Sequence, residues 1–127
     1  MKGQLPDLQA VCDRKQSLVP ATRTASGNGT GVDCADYEGP CLAICDVGAV
    51  SGTTPTADWT IQESADNSSF SAVTLLGTAA VQVTASNSIQ GLWFARSKRY
   101  VRVVMTIAGT TPSFASAASL LLQKKTG

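Results

Sequence analysis

The chain has 127 residues and a mass of 13.1 kDa, the size of one domain, which excludes a two-domain enzyme built around an interdomain cleft. Ten basic and nine acidic residues leave a net charge of +1, and charged residues make up only 15% of the chain, so neither a disordered segment nor a broadly polyanion-seeking protein is expected. With 43% hydrophobic residues and a mean hydropathy of +0.07, the surface must be covered largely by Ser, Thr, Ala and Gly, a composition suited to contact with other protein. A chain of this length buries about two thirds of its extended surface, so neither disulfides nor metals are required for a core.

The first ten residues contain Lys2 but no apolar run of secretory length, and Pro6 and Asp7 interrupt them, so synthesis and retention in a cytosol are expected. No apolar stretch approaches the roughly 20 residues that span a bilayer, and no membrane partner is expected. Cys12, Cys34, Cys41 and Cys45 have irregular spacings and the chain has no His, which disfavours a zinc site. In an extended strand Cys41 and Cys45 stand about 13 Å apart, beyond the reach of a disulfide. They read as small buried thiols on one strand face.

Along the chain, β-branched and aromatic runs recur at short intervals between clusters of Gly, Pro, Asn, Ser and Thr, with no sustained helical period. Residues 17–25 read as a first strand, confined by Pro20 to an edge, and 27–31 (Gly-Asn-Gly-Thr-Gly) as a turn. After a turn at 36–40, residues 41–47 are apolar on both faces and read as a central strand. A loop follows at 48–56, ended by Pro55. Residues 58–64 alternate Trp59, Ile61 and Glu63 against Thr60, Gln62 and Ser64. Residues 65–69 form a tight connection to a returning strand at 70–75, and 79–85 alternate with Val81 and Val83 inward.

A short apolar element at 92–95 precedes the basic turn 96–99. Residues 100–107 give the clearest strand, with Val101, Val103, Met105 and Ile107 on one face. Residues 109–112 turn the chain and 116–123 close the sheet. The expectation is therefore all-β: a single, jelly-roll-like β-sandwich of roughly eight strands over 17–127, with a core including Ile44, Trp59, Ile61, Val81, Val83, Tyr100, Val101, Val103 and Leu121. Residues 1–16 fall outside the pattern and are expected to form an extended N-terminal arm, with Leu5, Leu8 and Val11 as apolar contacts.

Little in the sequence points to catalysis. Without His there is no Ser-His or Cys-His pair and no neutral-pH proton shuttle, and the glycines at 27–31 lack the lysine and following helix of a phosphate cradle. Asp33, Asp36 and Glu38 do not match the spacing of a calcium loop and read as solvated turn carboxylates. No enzyme activity, cofactor or metal is expected. Charge is nevertheless segregated: no Lys or Arg falls between Arg23 and Arg96, where seven carboxylates lie. Arg96, Lys98, Arg99 and Arg102 are too few for a nucleic-acid footprint. They suit a positive edge that meets an acidic edge, Asp33, Asp36 and Glu38, on a neighbouring subunit.

Four ordered stretches carry a resemblance: 21–25 (Ala-Thr-Arg-Thr-Ala) running into 27–33 (Gly-Asn-Gly-Thr-Gly-Val-Asp), 46–48 (Asp-Val-Gly), 62–70 (Gln-Glu-Ser-Ala-Asp-Asn-Ser-Ser-Phe) and 98–102 (Lys-Arg-Tyr-Val-Arg). With them the chain resembles the jelly-roll capsid decoration, or cement, proteins of tailed bacteriophages. The cysteines are not part of that pattern. The resemblance implies a virion structural protein, made in the host cytoplasm and placed on the capsid surface. It would bridge subunits of the major capsid protein and associate with itself as a dimer or trimer at symmetry axes. A neck, tail or fibre module is the alternative position, since a fold does not fix function. A carbohydrate-binding sandwich using an exposed Trp59 or Trp93 is a further alternative.

Overall fold

Residues 52–55 and 109–112 share the sequence Gly-Thr-Thr-Pro, and in a computed structural model of the chain the two copies cross each other. The model describes residues 8–125, with side chains from Ala10 onward. One helical turn, α1 (Leu8–Val11), leads into seven strands: β1 (Cys12–Arg23), β2 (Gly27–Asn28), β3 (Val32–Asp33), β4 (Tyr37–Ser64), β5 (Ser71–Ala72), β6 (Ser88–Phe94) and β7 (Tyr100–Lys124). All ladders are antiparallel.

β4 and β7 form one long ribbon that bends where the two Gly-Thr-Thr-Pro segments meet. Thr53 pairs with Thr110 there, and the register shifts repeatedly between Val47 and Thr56. Gly52 and Gly109 have φ of +112° and +120°, and Thr54 and Thr111 have φ of +45° and +46°. A Cβ on Gly52 would fall 2.6 Å from the Thr111 carbonyl oxygen, and one on Gly109 would fall 2.8 Å from the Thr54 oxygen. Each glycine thus packs on the backbone of the opposite copy, a local two-fold arrangement that only glycine permits. The expected loop at 48–56 and the expected turn at 109–112 are therefore the bends of continuous strands.

The bend divides the ribbon into two half-sheets. In one, residues 41–47 of β4 lie between β6 and the C-terminal half of β7, which in turn carries β1; in the other, 57–64 of β4 pair with the N-terminal half of β7, flanked by β2, β3 and β5. The inward residues of both halves, among them Cys41, Ala43, Cys45, Trp59, Ile61, Val101, Val103, Met105, Phe114, Leu120 and Leu122, form one buried cluster. The fold is an all-β, sandwich-like arrangement. Seven strands replace the expected eight because four predicted segments merge into β4 and β7, whereas β2 and β3 are short additions.

Other expectations need correction. The segment 79–85 is not a strand. Val83 alone bridges Ala57, while the Gln90 side-chain amide bonds both the N–H and the C=O of Val81 at 2.9 Å. Freed from a ladder, Val81 points outward and is 63% exposed. Ile44, Leu121 and Tyr100 are half-buried, because they stand on the outer faces of the half-sheets and not between them. β1 begins at Cys12, so residues 12–16, expected in the arm, pair with β7. Within β1 the register shifts around Pro20, which has no N–H to offer. The Arg23 guanidinium fills the gap, donating to the carbonyls of Ser116 at 2.7 Å and Val19 at 2.6 Å.

The crossing generates a test. Gly52→Ala forces a Cβ into the opposite backbone at an unfavourable φ, and urea unfolding should show a loss of about 2 kcal/mol or more. Unchanged stability would mean that the bend does not depend on this contact.

Candidate interaction surface

The connection from β6 to β7, residues 95–99, carries most of the charge singled out in the sequence. At the end of β4, the Glu63 carboxylate is 8% exposed and accepts hydrogen bonds from the Ser97 N–H (2.7 Å), the Ser97 hydroxyl (3.0 Å) and the Lys98 N–H (3.1 Å). It fixes the turn from below. Arg96 donates to the carbonyls of Cys34, Tyr37 and Lys98, tying the β3–β4 connection to the same turn. Arg99 forms a two-point ion pair with Asp33, at 2.9 and 2.8 Å, which holds the Asp33 carboxyl down at about 2. Arg102 donates to Gln62 and lies 3.9 Å from the centre of the Phe70 ring. Lys98 reaches the Ser71 hydroxyl.

Asp33, Arg96, Lys98, Arg99 and Arg102 thus meet at one corner, where Asp33 and Arg99 pair within the subunit. Asp36 and Glu38 are exposed beside them. Of the arm residues, Val11 is 39% exposed; Leu8 lies in α1, its side chain outside the described residues, and Leu5 lies outside them altogether. Close by, the expected tight connection is organised by Asp66, whose Oδ1 accepts from the Ser64 hydroxyl and the N–H groups of Ser68 and Ser69. These bonds lower its carboxyl to about 2.

Cys34, Cys41 and Cys45 are buried, and Cys12 is half-buried, all with free thiols. Burial pushes Cys34 up to about 11 and Cys45 to about 12, and raises Cys41, so at neutral pH these are protonated packing groups and not nucleophiles. Among the described residues no group of three His, Cys, Asp or Glu side chains is placed to hold a metal ion, and no helix is long and apolar enough to cross a membrane.

The sequence reading missed the outer face of the β1–β7–β4–β6 half-sheet. Ile89 and Trp93 on β6 are 67% and 47% exposed. Across the sheet, Trp93 aligns with Leu42 and Leu121, and Gly91 aligns with Ile44. The signal in the sequence is the two-sided apolar pattern of 41–47, which fits a central strand and an exposed apolar face alike. Trp59, by contrast, is 4% exposed and offers no platform to a sugar.

Comparison with solved structures gives two phage-derived proteins with this fold. The PBSX exported protein XepA matches with a TM-score of 0.58 and 19% identity over 98% of this chain, which spans 40% of the length of XepA. The SPBc2 prophage-derived protein YomS matches with a TM-score of 0.50 and 10% identity, over 89% of this chain and 96% of its own. No protein-family model and no curated protein matches the chain.

Two measurements follow from this geometry. Asp33 and Asp66 have folded-state values near 2, against 3.8 as the ordinary value, so their contribution is complete above about pH 4 and is lost as pH falls through about 2. Melting temperature should decline across that window, and less steeply in Asp66→Asn. Iodoacetamide at neutral pH should modify Cys12 first, the other three thiols reacting only on unfolding; rapid native modification of Cys45 would contradict its burial.

Proposed function

We propose that the chain is a capsid decoration module of a tailed phage, acting by binding a repeated protein surface and not by turnover of a substrate. The observation that carries this reading is where the stretches behind the family resemblance go. Stretches 27–33, 62–70 and 98–102 are far apart in sequence, yet they converge on one corner. Arg99 of the last pairs with Asp33 of the first, Arg102 stacks on Phe70, and Glu63 holds Lys98. A Cβ at Gly31 would collide with Asn67 Oδ1, so the first and second stretches are also in contact. That these short stretches meet in space supports reading them as one structural device. The phage origin of both structural neighbours supports the same reading.

The arrangement also suits binding more than chemistry. Arg96, Arg99 and Arg102 are each engaged by acceptors of their own chain, and the thiols are protonated in the core. On this reading the partner is the major capsid protein, with the protein itself assembling as a dimer or trimer at capsid symmetry axes. A second reading, a prophage product released from the cell, is favoured by one observation: XepA is described as an exported protein.

Purified protein added to undecorated heads should cosediment with them and appear as regular density on the shell, and mass spectrometry should find it in purified virions. Removing residues 1–11, which precede the first ladder pair at Cys12, should leave the sheet folded and lower occupancy, most clearly at high salt, where apolar anchoring persists and charge contacts weaken. Absence from virions together with accumulation in the medium would replace decoration by the exported reading.

A further inference from the structure

We infer that the outer face of the β1–β7–β4–β6 half-sheet is a self-complementary surface on which a second copy of this chain docks through a two-fold axis at Trp93. This rests on the self-association in the reading above and deepens it by naming the surface and the symmetry, while its test is separate from head binding. The register sets out the face as a grid. One row is Arg14, Leu121, Leu42 and Trp93; the next is Gln16, Ser119, Ile44 and Gly91; the third holds Ala117, Asp46 and Ile89. Apolar groups fill most of it, with Trp93 47% and Ile89 67% exposed. A contiguous exposed apolar face of this kind marks a docking surface.

Charge selects the occupant. The grid carries one cation, Arg14, and one anion, Asp46, both exposed. Neither side chain has a hydrogen-bond or ion-pair partner among the described residues, whereas Arg96, Arg99 and Arg102 all do. With strands about 4.8 Å apart and alternate residues about 6.7 Å apart, Arg14 and Asp46 stand about 17 Å apart on a diagonal. The line bisecting that diagonal in the plane of the sheet passes through Ser119 and Trp93.

A two-fold axis along this line lays Arg14 over Asp46 of the second copy and Asp46 over its Arg14. The same operation stacks the two Trp93 rings, sets Leu121 over Ile44 and brings Leu42 onto Gly91, where the missing side chain leaves room. An isologous contact requires this reciprocity: residue i meets j and j meets i. Any cation and anion on one face exchange under the axis that bisects them; what favours a second copy is that this axis also passes through Trp93, the largest exposed side chain of the face. The central tryptophan, flanked by aliphatic residues and closed by two charge pairs, has the make-up of an energetic centre.

The test is sedimentation velocity on the full chain. The expected result is a dimer at about 100 µM, tightening at low salt. Trp93→Glu should weaken association at least tenfold while the far-ultraviolet spectrum stays unchanged. Arg14→Asp and Asp46→Arg should each be monomeric at the same concentration, since each sets like charges against each other. Mixing these two variants should restore a dimer, because every contact in the mixed pair then joins opposite charges, and the doubly substituted chain should dimerise with itself. A wild-type monomer at this concentration overturns the proposal, whether the face is then covered by the chain's own first residues or by a different protein. A dimer indifferent to Trp93→Glu, or single variants that fail to associate when mixed, overturns it as well. Head binding is not measured in any of these arms, so its success or failure remains a separate result.

Discussion

The fold depends on two chain segments of identical sequence gripping each other's backbone. Gly52 lies against Thr111, Gly109 lies against Thr54, and the left-handed backbone at all four residues turns both strands of the β4–β7 ribbon at the same level. Were the ribbon to run straight, its inward residues would have no opposing layer. The bend sets Cys41, Ala43 and Cys45 in one half-sheet and Trp59 and Ile61 in the other into the same buried cluster. A continuous ribbon that folds onto itself needs no long crossover between its two layers, which is how a chain with 11 glycines and 15% charged residues reaches a sandwich-like core.

Arginine is the second structural device. In a ladder interrupted by Pro20, Arg23 supplies donors where the backbone has none. Around the β6–β7 turn, Arg96 bonds the carbonyls of Cys34, Tyr37 and Lys98, beside the single backbone bond from the Cys34 N–H to the Arg99 carbonyl. Gln90 does the same for Val81. In each case a side chain completes backbone hydrogen bonding at a place where regular strand pairing stops, and an unpaired backbone group there would cost about 1–3 kcal/mol. The guanidinium fork suits this because its donors are planar and fixed. As a result the basic cluster is largely a brace, whereas Arg14 and Asp46 have no side-chain partner among the described residues.

The outer surface then divides by chemistry. One corner is ionic, its arginines engaged by acceptors of the same chain; the β1–β7–β4–β6 face is largely apolar and carries Arg14 and Asp46. The phage-derived neighbours share the fold at 19% and 10% identity, a level at which surfaces diverge freely.

The sequence alone carries the all-β class, the inward faces of 58–64 and 100–107, the burial of Cys34, Cys41 and Cys45 and the turn at 65–69. Period-two alternation and turn chemistry are local properties, legible wherever a strand meets one buried face. It did not determine which of two apolar faces is covered. Ile44 and Leu121 carry the same local pattern as Cys45 and Leu120, and only the packing of one half-sheet on the other distinguishes them. Nor did it reveal that Gly-Thr-Thr-Pro marks a bend: glycine and proline signal a break in either case, and the meeting of two copies across 57 residues of chain exists only once β4 and β7 pair. The same holds for the charged residues. Asp33 and Arg99 are distant in sequence and were read as edges for a neighbour; their ion pair is a product of tertiary structure, because a charge finds its partner in space and leaves no periodicity along the chain.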